Sequence, residues 1–141
     1  MRLQMIIGLV AASLAASVSA ELTPEDAPRF ETGLQCAAAA TVSAMLLKET
    51  KAPAELQESY TSILGSAGGM LHEMAPAANM TDEQVDLEIV KRSNVIVDKI
   101  NKVPDDGYQA AVFKQISMEP DGGMAPCSVL LNEVTIAKTA Q

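Results

Sequence analysis

The sequence predicts an all-α fold, a small bundle of about five helices tied by one disulfide between the first and the last. Three observations carry this. Apolar residues between the prolines recur at steps of three and four. The chain has two cysteines, Cys36 and Cys127, far apart in sequence. Alanine and other good helix formers dominate the longest apolar stretch.

The amino end comes first. Arg2, an uncharged run from Met5 to Val18 and the small residues Val18-Ser19-Ala20 ahead of Glu21 have the order of a secretory signal peptide. A transmembrane helix needs about 20 apolar residues, and this run is shorter and diluted by Gly8, Ser13 and Ser17. Cleavage after Ala20 is therefore expected, leaving residues 21–141 as a single helical domain without a membrane anchor. Cys36 lies well beyond the cut, behind Glu and Asp residues, so a lipid-bearing cysteine is not expected.

A first helix is predicted over about 29–50, with Phe30, Leu34, Ala38, Val42, Met45 and Leu46 on one face. The second, over 54–75, carries a buried stripe of Leu56, Tyr60, Ile63, Leu64, Ala67, Met70, Leu71 and Met74. Thr81-Asp82-Glu83-Gln84 has the pattern of a capping box and opens a third helix continuing through Val85, Ile89, Ile96, Ile100 and Val103. The β-branched run Val95-Ile96-Val97 leaves a short strand as the alternative there. Asp105-Asp106-Gly107 reads as a turn before a helix over 107–118 bearing Tyr108, Val112, Phe113 and Ile116. Asp121-Gly122-Gly123 reads as the next turn. Pro126 suits the first turn of a last helix, about 126–139, with Leu130, Leu131, Val134 and Ala137 inward.

Gly65, Gly68 and Gly69 would each cost about 1 kcal/mol relative to alanine in a helix interior. Ala38 and Ala67 lie almost equally far from a turn near residue 52, so an antiparallel hairpin sets them level. Close packing of Ala38 against Gly65, Gly68 and Gly69 is the expectation this suggests, with a hinge at the glycines as its rival.

In an exported chain, two cysteines are best explained by one Cys36–Cys127 disulfide. Closing a loop of about 90 residues is worth roughly 4–5 kcal/mol in the chain-entropy model. A reactive thiol at Cys127, near a helix start, is the competing reading. Cys-x-x-Cys and Cys-x-x-Cys-His are both absent, which leaves no sequence signal for thioredoxin-like chemistry or haem attachment.

Formal net charge is −8, and loss of Arg2 with the leader makes the remainder more acidic. Such a surface repels nucleic acid and anionic lipid. His72 is the only histidine, and its helical neighbours at three and four residues are Gly68, Gly69, Ala75 and Pro76, none a metal ligand. With no nucleophile–base pair, no tryptophan platform for sugar and no twelve-residue calcium loop, no catalytic residue and no cofactor is expected. Met70, His72, Met74 and Met80 form an alternative Cu(I) set of soft ligands, which a regular helix would split between two faces. Asn79-Met80-Thr81 matches a glycosylation sequon, relevant only to a eukaryotic secretory route.

The reading is therefore a non-enzymatic periplasmic or secreted helical module that binds a protein or a small apolar ligand. In gross plan, acidic, exported and disulfide-tied, the chain resembles small periplasmic chaperones of the acid-stress type, without a matching motif. That likeness implies an alternative in which protonation of its carboxylates loosens the bundle and exposes apolar faces.

Overall fold

A computed structural model describes the backbone of residues 21–139 and the side chains of residues 21–133. The expected leader, residues 1–20, and the inward placement of Val134 and Ala137 lie outside that range. Five helices follow in order: α1 (Asp26–Glu49), α2 (Ala54–Met74), α3 (Asp82–Asn101), α4 (Asp105–Ile116) and α5 (Ala125–Thr139). Among the described residues there is no strand, and Val95-Ile96-Val97 is helical. Cys36 and Cys127 form the disulfide, joining the first helix to the last.

The chain is arranged around α1. Each of the other four helices packs on α1, whereas their contacts with one another are sparse. Five consecutive residues of α1, Cys36 through Ala40, are buried, which a helix can achieve only when it is covered on all sides. Alanine permits this, because its single methyl lets neighbouring helices approach. α1 is also the one described helix long and apolar enough to cross a membrane, but 67% of its most apolar window is buried against its neighbours.

Two apolar cores result. The larger joins Leu34, Cys36, Tyr60, Leu71, Val85, Met124, Cys127 and Leu130 around the disulfide. The smaller contains Val42, Leu46, Ile100 and Val112, at the far end of α1. The main exceptions to the expected stripes lie near that end: Met45, Leu56, Tyr108 and Phe113 are exposed. Leu131, on α5, is exposed as well.

Local chemistry accounts for the helix ends. α1 starts three residues earlier than the spacing predicts, because Thr23 accepts the Asp26 amide through its hydroxyl and Pro28 falls harmlessly in the first turn. It ends with Lys51 in the left-handed region (φ 53°), the Ala52 amide donating to Leu47 O and the Lys51 amide to Lys48 O, a Schellman motif. Asn79 (φ 56°) plays the same part after α2. The capping box of α3 is present: the Gln84 amide donates to Thr81 Oγ1 and the Thr81 amide to Gln84 Oε1. Asp105 and Asp106, read as a turn, occupy the first turn of α4, where carboxylates favour the helix dipole.

The close-packing assignment is corrected. α1 and α2 do form the hairpin and Ala67 is buried, yet a Cβ at Gly65, Gly68 or Gly69 would meet nothing within 4 Å. Ala38 faces α3 instead, its carbonyl accepting the Ser93 hydroxyl at 3.4 Å. The glycine at the α1–α2 contact is Gly33, where a Cβ would lie 2.5 Å from Met70 Cε and 3.0 Å from Leu71 Cδ2.

Two stability predictions follow from this geometry. Gly33→Leu should destabilise the fold by roughly 1–3 kcal/mol through overpacking, whereas Gly65→Ala should leave it unchanged or raise it by up to about 1 kcal/mol. Thermal melts followed by circular dichroism test the pair, and equal losses would contradict the assignment. Lys51→Gly should raise stability by about 0.5–1 kcal/mol, read as a higher urea midpoint, by relieving the left-handed backbone of a residue with a Cβ. A lower midpoint would show that the Lys51 side chain contributes more than its backbone costs.

Candidate functional site

The sequence-predicted ligand set is dispersed. Met70, Met74 and Met80 pack against the larger core, and Met70 covers Gly33. His72 reaches across to α3, where its Nε2 lies 2.8 Å from Asp86 Oδ1. The orienting partner absent from its own helix is thus supplied by another one, and that hydrogen bond raises the His72 pKa above its ordinary value. Among the described residues, no group of three or more His, Cys, Asp or Glu side chains is placed to hold a metal.

Charge is organised for structure at a second place. Arg92 of α3 donates to both carboxylate oxygens of Glu31 on α1, at 2.6 and 3.0 Å, and its Nε donates to Glu88 at 3.0 Å. The hydrogen bond from Arg92 holds the Glu31 carboxyl below the usual carboxylate range. Among the described residues, the buried polar side chains are Ser43, Ser93 and Gln115, each hydrogen-bonded and none titratable.

What the helices leave open is an apolar groove. It lies between the α1–α2 turn and α4, has a volume of about 510 Å³, and is lined by Leu47, Ala52, Leu56, Tyr108, Val112, Phe113 and Ile116, with Thr50, Pro53 and Gln109 completing it. The volume is in the range of small-molecule sites. The chain reverses at Lys51, and Pro53 stands at the start of α2, whose first turn presents Leu56 beside the groove. Behind the groove, Tyr60 of α2 donates its hydroxyl hydrogen to the carbonyl of Ile116, which lines the α4 side, fixing the end of α4. Burial raises the Tyr60 pKa, keeping that donor protonated.

Two features give the groove chemical character. The chain has only two Phe, two Tyr and no Trp; Phe30 and Tyr60 are buried, while Phe113, 63% exposed, and Tyr108, 38% exposed, both line the groove. No Asp, Glu, Lys or Arg lines it, in a chain one-fifth charged. Its lining presents aromatic faces and aliphatic walls, with the Gln109 amide and the Thr50 and Tyr108 hydroxyls as its polar side-chain groups. The sequence places Tyr108 and Phe113 on the helix over 107–118 without showing that they stay exposed; the scarcity of aromatics is the signal that their location matters.

Comparison of the chain with protein-family models, with curated proteins and with solved structures finds no match.

The Glu31–Arg92 pair gives a pH prediction. Because the folded pKa of Glu31 is depressed, its contribution is present above the unfolded carboxyl pKa, near 4.5, and disappears as pH falls through the folded value. Glu31→Gln should therefore cost no more than about 1 kcal/mol at pH 7, the pair being partly exposed, and the deficit should be smaller at a pH well below 4.5, where the carboxyl takes up its proton. Chemical denaturation at the two pH values measures it; a deficit that persists in acid would assign the loss to packing.

Proposed function

We propose that the protein is a non-enzymatic exported binding module whose groove between the α1–α2 turn and α4 takes a small, uncharged apolar molecule. The observation that carries this is the concentration of half the chain's aromatic residues, Tyr108 and Phe113, at one open, charge-free groove. A side chain such as Phe113 has no folding reason to stand in solvent, and burial against a ligand would recover roughly 1.5–3 kcal/mol. Export is supported by the leader pattern and by the disulfide, which persists in oxidising compartments. An acid-driven opening would have to begin at surface pairs such as Glu31–Arg92, because no described carboxylate is buried.

The test is fluorescence titration with a neutral apolar probe, N-phenyl-1-naphthylamine, on residues 21–141 with the disulfide intact. Saturable binding to one site is expected. Phe113→Ser should weaken it about tenfold or more, corresponding to about 1.4 kcal/mol or more, with the melting temperature unchanged. Absence of saturable binding, or equal binding by Phe113→Ser, would reject the groove as the site.

A further inference from the structure

α4 is attached to the rest of the molecule unevenly. No residue from Asp105 to Ala111 is buried, and among the described residues no hydrogen bond ties that half to another helix. The other end is held by several. Tyr60 donates to Ile116 O. Gln115 Nε2 donates to Ser43 Oγ and Ala39 O, the Ser43 hydroxyl donates to Gln115 O, and the Gly123 amide donates to Lys114 O at 2.9 Å. Between the two ends, Val112 is the single buried apolar side chain, seated in the small core with Val42, Leu46 and Ile100.

Space lies on both sides of the loosely held half. The groove described above borders one flank. On the other is a cleft of about 150 Å³ lined by Val42, Met45, Leu46, Val97 and Ile100, with Glu49 and Asn101 also on its lining. Tyr108 lines both spaces, so it is the partition between them. A twelve-residue helix is marginal by itself, and one with a single apolar pin is drawn from the low-stability end of a fold.

We propose that α4 is a hinged cover, anchored at Gln115 and Ile116, and that the two clefts flanking Tyr108 are halves of one apolar chamber that joins when its amino-terminal half lifts from α1. Residues 102–104 form the connection to α3 and set the limit of that movement. The chamber so formed would accept an elongated apolar molecule running beneath α4, which the open groove holds only in part. The identity of the occupant rests on the groove reading; the opening of α4 does not.

Amide hydrogen exchange on the disulfide-intact protein, with and without saturating N-phenyl-1-naphthylamine, separates these. The amides of residues 109–113 should exchange at least tenfold faster than those of α3, which Arg92 and Ser93 fasten to α1. Val112→Ala should accelerate them a further tenfold while leaving α1 and α3 unchanged, and bound probe should slow them at least tenfold. Exchange of α4 in step with α3, or a Val112→Ala effect spread evenly over all helices, would overturn the cover. Probe that binds without protecting α4 would likewise overturn it while sparing the groove. If the probe fails to bind, the groove reading falls, and the exchange of the free protein and of Val112→Ala still decides whether α4 opens alone.

Discussion

A helix buried on every side needs a neighbour on every side, and α1 imposes that requirement on the whole chain. Its run from Cys36 to Ala40 has no solvent-facing position, so α2, α3, α4 and α5 are each needed to cover part of it. Small side chains make the arrangement possible but weak in reach: alanine buries little area, so the larger residues of the surrounding helices, among them Tyr60, Leu71, Val85 and Ile89, must supply most of the apolar contact. The disulfide acts where this economy is thinnest. It fastens α5, which packs on α1 and little else, to the middle of the helix it covers.

The polar links respect the same geometry. Arg92 to Glu31 and Ser93 to Ala38 O hold α3 on α1, His72 to Asp86 closes α2 on α3, and Gln115 with Tyr60 secures the end of α4. They set the angular position of each outer helix, which the non-directional hydrophobic term leaves loose. Where no such link exists, along Asp105–Ala111, the two clefts bordered by Tyr108 are found.

Much of this was legible in the chain. The helices, the capping box at Thr81 and the disulfide follow from spacing, residue type and cysteine number. The glycines of α2 were misread because equal distance from a turn fixes height along a helix but not direction around it. Successive residues turn by about 100°, so with Ala67 facing α1, Gly65, Gly68 and Gly69 are rotated away from it. Gly33 was the better candidate, sitting among Phe30, Leu34 and Ala37 on covered faces. The Asp86 partner of His72 had no local signature, since it is adjacent only after α2 and α3 have been placed side by side. Stripe counting also could not show that α4 has too few neighbours to cover Tyr108 and Phe113.

The order of the helices along the chain has a consequence for how the molecule comes into being. α1 is synthesised first and cannot be fully covered until the last segment is available, because α5 contributes Cys127 and Leu130, and the turn before it Met124, to the larger core. Until then the chain carries a long alanine-rich helix with one flank bare and one thiol unpaired. Assembly is therefore closed from its far end: hairpin formation by α1 and α2 can proceed early, whereas completion waits for the final segment. Until the final segment arrives, the apolar flank of α1 that it covers stays exposed, the condition under which partly folded chains associate.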